Sequence, residues 1–501
     1  MKNCIGPLRA GAPIPETTAN LPNTMKHNLI NRREFLGTTA AGGALFASGL
    51  FGPRLLASDT GELSKPPPVK IYKIFAGRTG NFYLSRPTEE LAKFNQYLSE
   101  LEKKLGDVRF VGGDTIPPAD VGQLVEKLKG ADAVLVFHMS GQGSEAPVLS
   151  KILDVGLPTV LFSEPYSGHD WMYLPELRKQ GRKLLLLPSS DWSEIDRVVA
   201  LLRVPAWFKQ TRIIAWGPPL GTSGACSAEL IKEELGAEVV SYTDAQVKEL
   251  WKSVDPAAAK AEAEQYWVSK ARKIVEPTRE KIIEAAKLFL AVKQMMIRER
   301  AQAITSCHCM GDPHGCLTFS KLNDLGFVGA CEGDIDSTLT MLMFAYAFRV
   351  PGFISDPVVD TAKNALLHFH CTSATKMDGP NGSRRPFAIR SQCDSKAGVS
   401  LEVKHRVGQA VTCAKLVNLD TMLINTGKIL ETTTNPMACR TQFAQSVPNA
   451  QRLFLTYGGG VIQSGVMAKL HRVVFYGDHM KQMRVLGDLM GFKVIEEGGV
   501  A

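Results

Sequence analysis

The sequence predicts an α/β fold class: two doubly wound α/β domains, followed by a C-terminal domain formed by an antiparallel sheet or small β-barrel. In the first half, short and continuously apolar runs alternate with amphipathic helices, which is typical of strands buried on both faces of a parallel sheet. A second α/β unit begins near residue 212. From about residue 376 the pattern changes to β-branched alternation without long helices, which indicates antiparallel strands.

The first unit follows a Pro-rich linker at 65–68. Its strands are predicted at 70–75, 108–111, 133–137, 158–162 and 183–187, and its helices at 88–105, 120–129 and 193–202. The second unit opens with a strand at 212–216. The glycine-rich loop that follows, 217–224, has neither the dinucleotide-binding pattern nor the P-loop lysine, so we interpret it as a turn. Helices then dominate 244–302, one of them covering 277–300.

The C-terminal part combines short strands with a closing helix. Strands are predicted at 398–403, 410–417, 421–424 and 461–466, and a final strand, helix and strand at 472–476, 479–490 and 493–496.

The charge balance excludes a nucleic-acid-binding protein. The chain has 58 Lys and Arg against 50 Asp and Glu, a formal net charge of +8. Half of that excess comes from the first 57 residues, and no block of like charges provides a basic surface elsewhere.

The N-terminus predicts an export signal. Arg32 and Arg33 precede an uncharged stretch, 35–53, that contains five glycines. A paired arginine before a short, weakly apolar segment is typical of a twin-arginine signal, with cleavage expected near Ala57. The alternative is a transmembrane anchor, for which the small residues give a poor insertion energy. We therefore expect a periplasmic protein that the twin-arginine machinery exports in the folded state.

Ten cysteines in a chain of this length do not indicate a disulfide framework. Cys307, Cys309, Cys316 and Cys331 lie close in sequence, together with two histidines, and one interpretation is a zinc site. Their spacing lacks the paired Cys-x-x-Cys of tetrahedral zinc sites, so a strand and turn beside a pocket is the alternative.

The candidate chemistry lies between residues 304 and 377. Glu332 and Asp334 end an apolar strand just before a predicted helix, and Asp356 ends another apolar strand. In α/β sheets, ligands bind at the carboxyl ends of strands. His370, at the end of a third strand, and His471, before a fourth, add imidazoles. Carboxylates with one or two imidazoles suit Mn²⁺, Mg²⁺, Fe²⁺ or Co²⁺. Taken singly, each residue also fits a helix-capping or core role.

The same region resembles the L-fucose and L-arabinose isomerase family. The resemblance covers 304–497 closely and 70–300 at the level of architecture, and its motifs are Leu322-Asn-Asp-Leu-Gly, Ala330-Cys-Glu-Gly-Asp-Ile-Asp-Ser-Thr-Leu-Thr-Met, Pro351-Gly-Phe-Ile-Ser-Asp-Pro, His370-Cys-Thr, Cys439-Arg-Thr-Gln and His471-Arg-Val-Val-Phe-Tyr-Gly-Asp. The 24-residue gap from Glu332 to Asp356 is similar to that of the metal-binding acids in the fucose branch. The family fold ends in an antiparallel barrel.

The resemblance implies a metal-dependent aldose–ketose isomerase that acts on a small, fucose- or arabinose-like sugar through a cis-enediol. Glu332 and Asp356 would be catalytic acid and base and, with His471, ligands of a divalent metal, Mn²⁺ foremost. His370, Arg390 and Arg440 are candidates for binding the sugar. Arg78 and Gln142 are candidates for closing the pocket of a neighbouring subunit in a homo-oligomer, a trimer or hexamer. Their alternative is a plain polar loop.

The implied domains are a signal at 1–57, a flavodoxin-like α/β domain at 66–210, a second α/β domain with the metal-binding acids at 211–375, and the antiparallel domain at 376–501. Two other functions stay open. One is an exported, non-catalytic sugar-binding protein, since such receptors also have paired α/β lobes. The other is a metal enzyme that enolises a different hydroxy-carbonyl compound.

Overall fold

The computed structural model describes residues 62–77, 87–116, 121–139, 146–167, 169–462 and 465–499. The predicted export signal, 1–57, lies outside these residues, as do Arg78 and Gln142. Among the described residues, none of the helices has the length and apolar character needed to cross a membrane.

Sheet A is the parallel sheet of the first unit. Its central strands are buried along their whole length, as expected for strands covered on both faces. The strand order β2-β1-β3-β4-β5 confirms the doubly wound arrangement. The strands are β1 (Val69–Ala76), β2 (Val108–Ile116), β3 (Ala133–His138), β4 (Thr159–Ser163) and β5 (Leu184–Pro188). The helices are α1 (Thr88–Leu105), α2 (Val121–Leu128), α3 (Ala146–Asp154), α4 (Leu174–Lys179), α5 (Ser193–Leu201) and α6 (Arg203–Phe208), with a short 3₁₀ helix at Asp170–Tyr173.

Sheet B is the smaller parallel sheet of the second unit, with strand order β10-β9-β6-β7. Its strands are β6 (Arg212–Trp216), β7 (Glu238–Tyr242), β9 (Ala303–Ser306) and β10 (Val328–Ala330). Its helices are α7 (Ala228–Glu234), α8 (Asp244–Ser253), α9 (Pro256–Glu262), α10 (Arg279–Glu299), α11 (Cys316–Asp324) and α12 (Ile335–Phe348), with a π-helical turn at Ala263–Val268. The loop after β6 is a turn, as predicted.

Helix α12 packs against sheet B, the barrel and the helices beside sheet A. It is apolar on nearly every face, and a helix of that kind has to be buried all round. It contacts α5 and α6 beside sheet A, β9 and β10 of sheet B, and strands of the barrel. Phe344 stacks on Phe475 with ring centroids 3.7 Å apart. The N-terminus of α12 is therefore held at a fixed place between sheet B and the barrel.

Six antiparallel strands close into a barrel in the order β15-β18-β11-β12-β17-β16, and β15 pairs again with β16. They are β11 (Phe353–Asp360), β12 (Ala365–His370), β15 (Ala410–Val417), β16 (Thr421–Thr432), β17 (Thr441–Ser446) and β18 (Arg472–Tyr476). Strand β19 (Lys493–Glu496) adds to β16 in parallel. A separate small sheet consists of β8 (Lys273–Ile274), β13 (Phe387–Arg390) and β14 (Ser400–Val403). The remaining helices are α13 (Ala450–Leu455), α14 (Val466–Leu470) and α15 (Met480–Met490).

Two sequence-based expectations differ from the structure. Strands β11 and β12 were expected in the second α/β domain, but they pair in antiparallel fashion inside the barrel. Short apolar runs do not reveal which sheet a strand joins, because parallel and antiparallel strands share that pattern. The strand expected at 461–466 is also wrong: Val461 and Ile462 lie in a turn and an irregular segment, and Val466 begins helix α14.

Candidate functional site

Glu332 lies in the tight turn between β10 and α12. Its backbone adopts φ +58°, in the left-handed region, and Gly333 follows at φ +70°. Asp334 then caps α12 by accepting a hydrogen bond from the Ser337 amide at 2.9 Å. The Glu332 amide donates to the Cys309 sulfur at 3.2 Å. This strained turn is fixed on both sides, and strain of this kind is concentrated at functional sites.

Asp356 and His471 lie side by side at one end of two adjacent barrel strands. The antiparallel pairing of β11 with β18 places Ser355 beside Arg472, so the next residues along the two strands, Asp356 and His471, also lie beside each other. His471 Nε2 lies 3.3 Å from Asp356 Oδ1 and 3.7 Å from Glu332 Oε2. Both Asp356 Oδ1 and His471 Nε2 are buried and have no hydrogen-bond partner within the described part of the chain.

His370 completes the cluster from the end of β12. Its Nε2 lies 3.5 Å from Glu332 Oε1, and its ring centroid is 5.4 Å from that of His471. Asp356, His370 and His471 each offer a possible metal-ligand atom within 4.8 Å of the others. The structure thus brings together Glu332, Asp356, His370 and His471, four of the predicted site residues.

The carboxylates and imidazoles of this cluster stabilise one another's charged forms. Burial raises the pKa of the Glu332 carboxyl, but the hydrogen bond and charge of His370 and the charge of His471 outweigh it, so the pKa falls below its usual value. Burial lowers the pKa of His370, yet the Glu332 hydrogen bond and the charge of Asp356 raise it to about 10. Burial lowers the pKa of His471, but its contacts with the Asp334 and Asp356 carboxylates outweigh burial and raise that pKa.

Asp334 contacts the nitrogen of the His471 ring that faces away from Glu332 and Asp356. The His471 Nδ1 lies 3.0 Å from Asp334 Oδ2, and the buried Lys415 ammonium donates to the same carboxylate at 2.7 Å. Burial raises the pKa of Asp334, but Lys415 and His471 together hold it well below its usual range. Sequence reasoning considered Asp334 only as a strand-end or capping acid and missed Lys415, which lies 81 residues away in the chain.

The other predicted sugar-binding residues have different partners. Arg390 forms ion pairs with Glu276 at 2.6 Å and Glu402 at 2.5 Å. Arg440 donates to the Ser391 carbonyl at 2.9 Å. The structure therefore shows these guanidinium groups bonded to other protein groups, and their role in sugar binding stays a prediction. Arg78 and Gln142 lie outside the described residues.

The cysteines considered for zinc divide into separate groups. Cys309 and Cys331 have sulfur atoms 3.2 Å apart, whereas the Cys307 thiol faces the Trp216 carbonyl. Cys316 packs with Cys371 and two later cysteines instead. The set predicted from local spacing does not converge on one point, because the fold brings in cysteines that are distant in sequence.

Comparison with known proteins finds one distant isomerase and no matching protein-family model. The chain is 25% identical over 182 residues to the sulfoquinovose isomerase of Clostridium sp. (strain MSTE9). That match covers 35% of this chain and 38% of the isomerase, so the similarity spans well under half of either protein. The chain therefore has a distant relative among the sugar isomerases.

Among solved structures, an arabinose-binding periplasmic protein of Shewanella sp. ANA-3, a component of an ABC transporter, covers 55% of this chain and 85% of its own. The identity is 16% and the TM-score is 0.16. A likeness at that level carries no conclusion.

Proposed function

We propose that the protein is a metal-dependent aldose–ketose isomerase that acts on a small sugar. The main support is the convergence of three distant parts of the chain, since an oxygen of Glu332 and an oxygen of Asp356 each lie within 3.7 Å of the buried His471 Nε2. The distant relationship to a sugar isomerase supports the same class of reaction. A sugar receptor has no need of two carboxylates and two imidazoles packed against one another.

The side chains fit a divalent metal. Asp356 Oδ1 and His471 Nε2 are buried atoms of the kind that bind Mn²⁺ as ligands. Neither atom has a hydrogen-bond partner among the described residues. Two carboxylates would offset the charge of the ion. We assign Glu332, Asp356 and His471 as its ligands and Mn²⁺ as the preferred ion. When bound, the metal would act as a Lewis acid that polarises the carbonyl and neighbouring hydroxyl oxygens of the sugar.

The protein's own groups would move the protons. One carboxylate oxygen of Glu332 or Asp356 takes the proton from C2 of the aldose, which gives an enediol, and the proton returns at C1 to give the ketose. The second carboxyl group exchanges the hydroxyl protons on O1 and O2. His370, whose positive charge Glu332 favours, is placed to donate a hydrogen bond to a sugar oxygen.

The test measures ketose formation from a panel of aldoses, with and without added Mn²⁺, in D₂O. Proton transfer through an enediol predicts solvent deuterium in the product, whereas a direct hydride shift does not. The variants Glu332→Gln and Asp356→Asn are expected to lose about 10²–10⁴-fold in turnover, because each removes a group that transfers a proton.

Asp360→Asn is the matched control, since Asp360 lies on the same strand as Asp356 and accepts a hydrogen bond from the Lys363 amide. It should keep wild-type turnover. Near wild-type rates in Glu332→Gln or Asp356→Asn, in folded protein, would refute the assignment. A chain that binds a sugar tightly without converting it would be a receptor instead.

A further inference from the structure

Four cysteine thiols meet beside the candidate site. Cys316, Cys371 and Cys393 are buried, and the half-buried Cys439 packs against them. The sulfur atoms of Cys371, Cys393 and Cys439 all lie within 4.8 Å of one another, and those of Cys393 and Cys439 are 2.8 Å apart. Cys316 packs against these three cysteines. The four thiols are free in the structure as described.

These thiols come from four separate segments of the chain. Cys316 is the first residue of α11, and Cys371 directly follows β12. Cys393 lies in the loop after β13, and Cys439 stands two residues before β17. Strands β12 and β17 pair with His370 opposite Thr441, which brings Cys371 and Cys439 together. No local spacing motif connects these positions, so the sequence alone does not reveal the cluster.

We propose that Cys316, Cys371, Cys393 and Cys439 bind one zinc ion as a structural tetrathiolate site. In a tetrahedral zinc site with Zn–S bonds of about 2.3 Å, the sulfur atoms are roughly 3.8 Å apart. The sulfur atoms of Cys371, Cys393 and Cys439 already lie within 4.8 Å of one another, and Cys316, which packs against them, would move closer to supply the fourth ligand. Four soft sulfur ligands select zinc over the hard cations that suit the carboxylate site. A single disulfide would account for only two of the four thiols.

The surroundings of the cluster suit its negative charge. Gln392 Nε2 donates to the Cys393 sulfur at 3.7 Å. The Arg440 guanidinium, next to Cys439 in the chain, is anchored to Ser391 and largely buried, with 11% of its side chain exposed. Outer hydrogen bonds and nearby positive charge stabilise metal-bound thiolates.

The zinc would fix the position of His370. Cys371 is the next residue in the chain, so a metal that ties it to α11, to the β13 loop and to the start of β17 would hold the end of β12 against sheet B. With four protein ligands the site has no open position, and its role is therefore structural.

The experiment uses the full-length protein and has two readouts. The first is zinc content by elemental analysis, with release of zinc from the wild type by a mercurial thiol reagent. The second is replacement of zinc by Co²⁺, whose tetrahedral thiolate complex absorbs strongly in the visible. We expect one zinc per chain, mercurial release of that zinc, and a thiolate–Co²⁺ spectrum.

Cys393→Ser and Cys439→Ser should lose the bound zinc and the thiolate–Co²⁺ spectrum, whereas the control Cys226→Ser, outside the cluster, should keep both. Asp356→Asn should keep both as well, so the result is independent of the proposed isomerase activity. Wild-type protein that lacks thiolate-bound metal and carries a Cys393–Cys439 disulfide would overturn the proposal. So would iron in place of zinc, or zinc that is retained in both cluster variants.

Discussion

At the scale of single residues, the decisive contact of the site is the one between Asp334 and His471. Because the Asp334 carboxylate accepts the hydrogen bond of His471 Nδ1, the other ring nitrogen, Nε2, faces Glu332 and Asp356. A carboxylate that accepts a hydrogen bond from one ring nitrogen of a histidine fixes the orientation of the ring and makes the other nitrogen a better metal ligand. Asp334 is thus a positioning residue.

Asp334→Asn tests this role. The variant should weaken Mn²⁺ binding about 10–100-fold, the effect typical of losing such a carboxylate. It should also lower stability, because the buried Lys415 loses its counter-charge. Mn²⁺ titration by calorimetry and thermal melting measure the two effects separately.

The double variant Asp334→Asn with Lys415→Met removes the unpaired cation and is expected to regain stability without regaining Mn²⁺ affinity. If the double variant instead binds Mn²⁺ like the wild type, Asp334 has no part in orienting His471.

Residues of the site were predictable where a motif carried them. Glu332 and Asp356 each end an apolar run of the sequence, and the resemblance to the fucose isomerase branch implies that they share one site. The expectation that Asp356 ends its strand was wrong, because β11 continues from Asp356 to Asp360. Lys415 was not predictable, because it reaches Asp334 only through the packing of β15 against α12. The thiol cluster escaped prediction for the same reason.

At the scale of elements, the turn from β10 to α12 sets the direction of the Glu332 side chain. Gly333 adopts φ +70°, and a Cβ atom there would lie 3.2 Å from the Cys307 backbone and side chain. Gly106, the residue that ends α1, has a similar φ of +73° but open space around it. Comparing substitutions at these two glycines therefore separates the effect of the left-handed backbone from the effect of steric crowding around the added Cβ atom.

Gly333→Ala should lose more stability than Gly106→Ala, for which the left-handed backbone alone costs about 1–2 kcal/mol. Gly333→Ala should also reduce turnover, on the order of 10²-fold, since small displacements of a catalytic group are costly. Gly106→Ala should leave turnover unchanged. Chemical denaturation and steady-state kinetics give both quantities, and equal turnover in the two variants would contradict the role of the turn.

A buried ion pair joins β18 to the end of the chain. Arg472 and Glu497 are 2.8 Å apart and almost fully buried. Burial raises the pKa of Glu497, but the charge and hydrogen bond of Arg472 outweigh it and lower the pKa below its ordinary value of 4.5. A lowered carboxyl pKa contributes stability above pH 4.5, and that contribution declines as the pH falls further.

Glu497→Gln should therefore destabilise the fold by about 3 to 5 kcal/mol at pH 7, because it leaves Arg472 buried without its counter-charge. The difference from wild type should shrink as the pH falls below 4.5. Glu496→Gln, whose ion pair with Arg484 is exposed, should cost less than about 1 kcal/mol. Urea denaturation across this pH range is the measurement, and a constant difference at all pH values would contradict the assignment.

At the scale of the whole molecule, the candidate site is built where sheet B meets the barrel. Glu332 comes from the end of β10, whereas Asp356, His370 and His471 come from β11, β12 and the start of β18. The order of the α/β units and the antiparallel part was predictable from the change in residue pattern. The membership of β11 and β12 in the barrel was not predictable, because tertiary contacts rather than the local sequence pattern decide which strands pair. Export by the twin-arginine route, the other domain boundaries and assembly into an oligomer stay predictions of the sequence.

Anomalous diffraction from a crystal of the protein grown with Mn²⁺ would locate the ion and identify its ligands. We expect a manganese peak within bonding distance of a Glu332 oxygen, an Asp356 oxygen and His471 Nε2. A fully occupied manganese ion elsewhere in the molecule, with these three side chains bonded only to protein or water, would contradict this expectation.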